Sequence, residues 1–155
     1  MSAPAPAPRI LVAVQREDFD VSAELERLTA GRADIGALAS FVGLVRDRAG
    51  GAAVTGLELE HWPGATERAL TRIAEAAAAR WSLQGALILH RVGPLAPADR
   101  IVLAAAAAPH RHDAFAAAAY LMDYLKTEAP FWKREATPAG AAWVEARESD
   151  DAAKA

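Results

Sequence analysis

Apolar and polar positions recur along this chain with two different periods, and each change of period marks an element. Arg9–Val14 is a short β-branched run and predicts a strand. Val21–Thr29 carries Leu25 and Leu28 at helical spacing, with Ser22 expected as N-cap and Gly31 beyond the end. Ile35–Val45 reads as a long strand in which Gly36 and Gly43 mark bulges or close backbone approaches. Arg46–Ala53 is polar and glycine-containing and predicts a mobile loop. Val54–Glu60 alternates apolar and polar residues as a half-buried strand should. A turn, His61-Trp62-Pro63-Gly64, then leads into a helix over Thr66–Trp81 with Leu70, Ile73, Ala77 and Trp81 on one face.

The second half repeats this alternation. Ala86–Val92 and Arg100–Ala107 predict two strands joined by a proline-containing loop, Gly93–Asp99. A third helix is expected over Asp113–Glu128, with Phe115, Ala118, Met122 and Leu125 inward and Pro130 ending it. Phe131–Glu135 and Trp143–Ala146 read as a hairpin across Thr137-Pro138-Ala139-Gly140. Strands that are not regularly separated by helices predict an α+β fold, with about three helices on a mixed or antiparallel sheet. Residues 1–8 alternate Ala and Pro and read as a flexible tail. Residues 9–148 form one domain, and residues 149–155 read as a frayed C-terminal tail. No apolar stretch approaches the roughly 20 residues of a membrane span, and the N-terminus has no signal-peptide pattern.

Composition narrows the chemistry. A chain of 155 residues with net charge -3 has no global cationic field for nucleic acid. It has no cysteine, which excludes disulfides, thiolate metal sites, a cysteine nucleophile and any persulfide carried on this chain. That composition fits a reducing compartment, so a cytoplasmic location is expected. The pair His110 and His112 lacks a third ligand at useful spacing, so neither a metal nor a cofactor is expected. About a quarter of the residues are alanine. Of the 17 basic residues only Lys126, Lys133 and Lys154 are lysine.

In a chain whose default cation is arginine, two lysines within eight residues stand out. Lysine, unlike arginine, can give up its proton near neutrality when it is buried. Lys126 and Lys133 flank a helix–stop–strand corner, where Phe131 and Trp132 could exclude water, and form a candidate pair for proton transfer or nucleophilic attack. Two solvated lysines, the first favoured by the helix dipole, are the bland alternative. His110-Arg111 precedes the third helix and could bind an anion at its free N–H groups, or be plain surface residues. Phe41-Val42-Gly43-Leu44-Val45-Arg46 ends a strand in an arginine beside a loop that could close over a ligand. His61 and His90, at strand ends, read as satisfied structural histidines. Glu58, Glu60, Glu145 and Glu148 read as solvated strand positions.

Together FVGLVRD, LELEHWPGATERAL, HRVGPL, PHRHDAFAAAAYLMDYLKTEAPFWKRE and WVEARESD resemble the large, catalytic subunit of molybdopterin synthase, from about Ile35 to Asp150. The resemblance implies a hammerhead-like sheet arrangement. It also implies a sulfurtransferase of molybdenum cofactor synthesis that moves two sulfurs onto cyclic pyranopterin monophosphate to form a dithiolene. The implied sulfur donor is a small ubiquitin-like partner ending in a Gly-Gly thiocarboxylate, and the implied assembly is a heterotetramer around a homodimer of this chain. Carried onto this sequence, the essential lysines are Lys126 and Lys133. The substrate pocket falls on Leu44, Val45, Arg46, His110, Arg111, Arg134 and Glu135 with both lysines, and Arg147 and Phe41 lie near the partner's tail. The chain has Trp62 and Ala65 where the family commonly has Tyr and Met. Two other readings compete: a scaffold that binds a ubiquitin-like carrier without turnover, and a phosphate- or nucleotide-binding regulatory module. A fused carrier is disfavoured by length. No nucleic acid and no membrane partner are expected.

Overall fold

The computed structural model describes residues 3–138 and 140–144. Strand β1 (Arg9–Gln15) and helix α1 (Val21–Thr29) come first, then β2 (Ala37–Leu44), a short hairpin β3 (Arg48–Ala49) and β4 (Ala52–Ala53), and β5 (Gly56–His61). Helix α2 (Ala65–Trp81), β6 (Gly85–Arg91), β7 (Gly93–Leu95), β8 (Arg100–Ala108), α3 (Arg111–Glu128), β9 (Phe131–Thr137) and β10 (Gly140–Val144) follow. Three helices with a mixed and an antiparallel sheet make the α+β fold that the pattern predicts.

One four-stranded sheet runs β1-β6-β8-β2. Its β1–β6 pair is parallel and its other pairs are antiparallel. Helices α2 and α3 cover one face through Leu70, Ile73, Ile88, Leu121 and a set of alanines, and α1 covers the other through Leu28, Leu87 and Leu103. The run Ala104–Ala108 on β8 is fully buried. Alanine there lets sheet and helices approach closely, which is where much of the composition bias goes. A second, antiparallel sheet, β10-β9-β5-β7, packs Leu57, Leu59 and Leu95 against Val45 and Val92.

The structure revises several expectations. Ser22 does not cap α1; Asp20 does, its carboxylate accepting from the Ala23 N–H at 3.0 Å. The segment expected as a mobile loop holds the hairpin β3–β4, with both Gly50 and Gly51 at positive φ in the turn. The loop after β6 contains β7, which pairs with β5. Phe115 does not point inward and is 68% exposed. The buried stripe of α3 starts one residue earlier, at Ala114, which turns Phe115 about 100° from it. Gly43 sits at a register shift in β2, where a Cβ would come within 2.7 Å of Val102. The expected turn includes Ala139, and the expected strand end and C-terminal tail include residues 145–155; these lie outside the described residues.

Candidate functional site

Helix α3 ends at Glu128, and β9 starts two residues after Ala129, its C-cap. Pro130 between them cannot extend the helix, so the chain turns sharply. The corner is tied down from α2: the buried Thr66 hydroxyl donates to the Pro130 carbonyl at 2.9 Å and accepts from the Trp62 N–H at 2.9 Å. Beyond the corner, strand alternation sorts the side chains. Phe131, Lys133 and Glu135 face a cleft, whereas Trp132 and Arg134 lie exposed on the opposite face. Trp132 pairs there with Trp62, ring centroids 5.7 Å apart, and takes no part in shielding the lysines.

The cleft holds about 690 Å³, in the range of small-molecule sites. It lies between the end of β2, the C-terminal end of α3 and the inner face of the second sheet. Phe41, Leu44, Val45 and Arg46 border it from β2 and its continuation, Arg48 from the hairpin, and Met122, Leu125 and Lys126 from α3. Leu57, Leu59, Phe131, Lys133 and Glu135 close the other side. Among the described residues, four cationic side chains therefore share one cavity with a single carboxylate. Lys133 Nζ stands 3.8 Å from Glu135, a half-exposed pair worth at most about 1 kcal/mol. Its effect is on charge placement rather than on stability. Lys126 is exposed, so the cleft of the single chain is open and wet at the first lysine.

His110 and Arg111 do not join this cavity. His110 is the N-cap of α3, without a side-chain capping bond, and both residues are exposed. Fifteen residues of helix put Arg111 about 22 Å from Lys126. Arg134 lies on the reverse face of β9, and Arg147 lies outside the described residues. No cluster able to hold a metal occurs among the described residues, and no helix there is long and apolar enough to cross a membrane.

Sequence reasoning missed two residues. Thr66 gave no signal beyond its place at a helix start. His90, read as structural, contributes to the cleft wall. Its ring stacks on Phe131 at 4.1 Å, and Nδ1 donates to the Arg91 carbonyl at 2.8 Å. Burial pushes its imidazole down to about 4, so it is neutral at physiological pH.

Fold and cleft define an α+β domain that gathers lysines and arginines around an open cavity, in a chain without a thiol and, among the described residues, without a metal ligand set. Residues 14–128 match the MoaE protein family model. The chain is 56% identical over 144 residues to the molybdopterin synthase catalytic subunit of Ralstonia nicotianae, covering 93% of this chain and 82% of that one. It superposes with TM-score 0.80 on the molybdopterin biosynthesis MoaE protein of Burkholderia ambifaria, at 53% identity, covering 93% of this chain and 95% of that one. A chain of the complex of subunits 1 and 2 of the Helicobacter pylori molybdopterin-converting factor shares the fold, with TM-score 0.68 at 16% identity over 89% and 91% of the two chains. The chain belongs to the MoaE family, the catalytic subunits of molybdopterin synthase.

Proposed function

We propose that the cleft is where this molybdopterin synthase subunit moves sulfur from the thiocarboxylated Gly-Gly end of a small ubiquitin-like partner onto cyclic pyranopterin monophosphate, forming the dithiolene in two transfers. The observation that carries this reading is the convergence of Lys126, from α3, and Lys133, from β9, on one cavity of a chain that has no cysteine. Sulfur must then arrive on another molecule. A thiocarboxylate on a flexible tail suits a cleft that is open at Lys126 and lined inside by Phe41, Leu44 and Met122. The Helicobacter complex supports a small-subunit partner for this fold.

Displacing oxygen by sulfur needs a proton delivered to the leaving oxygen, charge compensation on both anions, and a water that cleaves the resulting thioester so that the tail leaves as a carboxylate. Lys126 serves the thiocarboxylate and the reacting carbon, Lys133 supports it in proton transfer, and Arg46 balances phosphate charge with Leu44 and Val45 as its apolar rim. Glu135 places a carboxylate 3.8 Å from the Lys133 ammonium. The seated tail removes water from Lys126, which the single chain leaves exposed. His110 and Arg111, about 22 Å from Lys126 along α3, can join a site only from a second copy of this chain. The outer edge of β2, with Leu38 and Leu44 exposed, is a surface on which such a homodimer within a heterotetramer could form. Arg134 and Arg147 are then left to contacts outside the cleft of the single chain.

The test is single-turnover dithiolene formation with thiocarboxylated partner. Lys126→Ala is expected to lose activity by at least about a hundredfold. Lys126→Arg keeps the charge and stays nearly as slow, because the guanidinium does not exchange its proton. Full activity in Lys126→Ala would overturn the assignment, and full activity in Lys126→Arg would reduce the lysine to an electrostatic role.

A further inference from the structure

His90 is the one histidine in the cleft wall, and its ring is locked. It lies on β6 with β1 on one side and β8 on the other, paired with Val14 and Val102. Phe131 covers one ring face. The Arg91 carbonyl can only accept, so Nδ1 carries the proton and Nε2 carries the lone pair. Arg91 is itself held by bonds from its guanidinium to the Arg16 and Arg100 carbonyls, which keeps this stretch of backbone from turning. Among the described residues the only buried side-chain polar atom without a partner is Gln84 Oε1, at the far end of β6. His90 Nε2 is not among the buried unpaired polar atoms, and the residue borders the cavity, with His61 near enough to act on its charge. The remaining polar groups there have a distinct bias. Arg46, Arg48, Lys126 and Lys133 only donate, and among the described lining residues Glu135 is the one side-chain oxygen acceptor, already beside Lys133.

We propose that His90 is a substrate-recognition residue, whose Nε2 accepts a hydrogen bond from an N–H or O–H of the pterin while Phe131 holds the imidazole in plane. This rests on the function proposed above and adds the residue that reads the heterocycle rather than its phosphate. An imidazole that stays neutral to about pH 4 is a dependable acceptor and a weak base. It complements the lysines and does not duplicate their proton transfer. A phosphate has no use for it; a planar ring with donor groups on its edge does.

Two measurements test this with the full chain bound to its carrier. In the wild-type protein, the ¹⁵N resonance of His90 Nε2 is expected to move when cyclic pyranopterin monophosphate is added, with Nδ1 unchanged. His90→Asn keeps a donor for the Arg91 carbonyl and removes the acceptor; it should weaken pterin binding and raise KM about tenfold while kcat changes less. His90→Gln, which places an amide oxygen near the Nε2 position, should recover most of that loss, and the carrier's tail should bind all three proteins alike. Pterin binding that leaves Nε2 unmoved overturns the inference alone, as does equal loss in both variants that follows their melting temperatures. A wild-type complex that binds no pterin overturns the proposed function as well.

Discussion

At the scale of single residues, burial makes His90 a stability element as well as a wall of the cleft. Its pKa falls from 6.5 to about 4 on folding, so between those values the unfolded chain binds the proton and the folded chain does not. The contribution is full above about pH 6.5 and is lost as pH falls toward 4, on the order of 3 kcal/mol for a shift of that size. Chemical denaturation from pH 7.5 to 4.5 should show this slope, and His90→Phe should flatten it. Asp18 acts in a separate, lower window. Its carboxylate is held at about 2 by the Arg100 guanidinium and the Phe19 N–H, so its contribution is lost only below about pH 4. The two lysines were legible because lysine is scarce here. His90 was not, because its place in the wall depends on the β1 and β8 registers, which no local pattern encodes.

Among the elements, the corner between α3 and β9 depends on α2. Thr66 links the Trp62 N–H to the Pro130 carbonyl through one buried hydroxyl. Thr66→Val keeps the shape and strands both backbone groups, and should cost about 2 kcal/mol, whereas Thr66→Ser should retain most of the stability. Because Pro130 lies between Lys126 and Lys133, the valine variant should also lower sulfur transfer by more than its loss of folded protein explains. Activity that merely tracks the folded fraction would make Thr66 purely structural. The long elements could be read from periodicity, whereas β3, β4 and β7 are too short to show a period. The Gly93-Pro94 start of β7 carries loop residues that its pairing with β5 overrides. Phe115 was misplaced because alanines occur all round α3, at 114 and 116–119, and leave the phase of its inward face unmarked.

At the scale of the whole molecule, two cationic groups stand at opposite ends of α3, about 22 Å apart. If a second copy supplies His110 and Arg111, the defects Lys126→Ala and Arg111→Ala lie in different chains of each shared site. Mixing the two inactive variants should then restore about a quarter of wild-type activity, since half the dimers are mixed and each mixed dimer has one intact site. No recovery after verified subunit exchange would rule out a site shared between two copies, and full activity of Arg111→Ala on its own would place Arg111 outside the reaction. The sequence pattern puts His110 and Arg111 just before the third helix and Lys126 near its end; the helix Arg111–Glu128 holds Arg111 and Lys126 too far apart to meet within one chain.

The cysteine-free cleft also settles what a thiol-reactive probe would label. This chain offers such a reagent no thiol, and among the described residues the sulfur on the cavity wall is the Met122 thioether. If the proposed function holds, every rapidly alkylated sulfur in a mixture of chain, carrier and pterin therefore belongs to the carrier or to the product. Quenching with an alkylating agent would freeze the distribution of transferable sulfur at each time point, and intact-mass spectra would read it without a background from the enzyme.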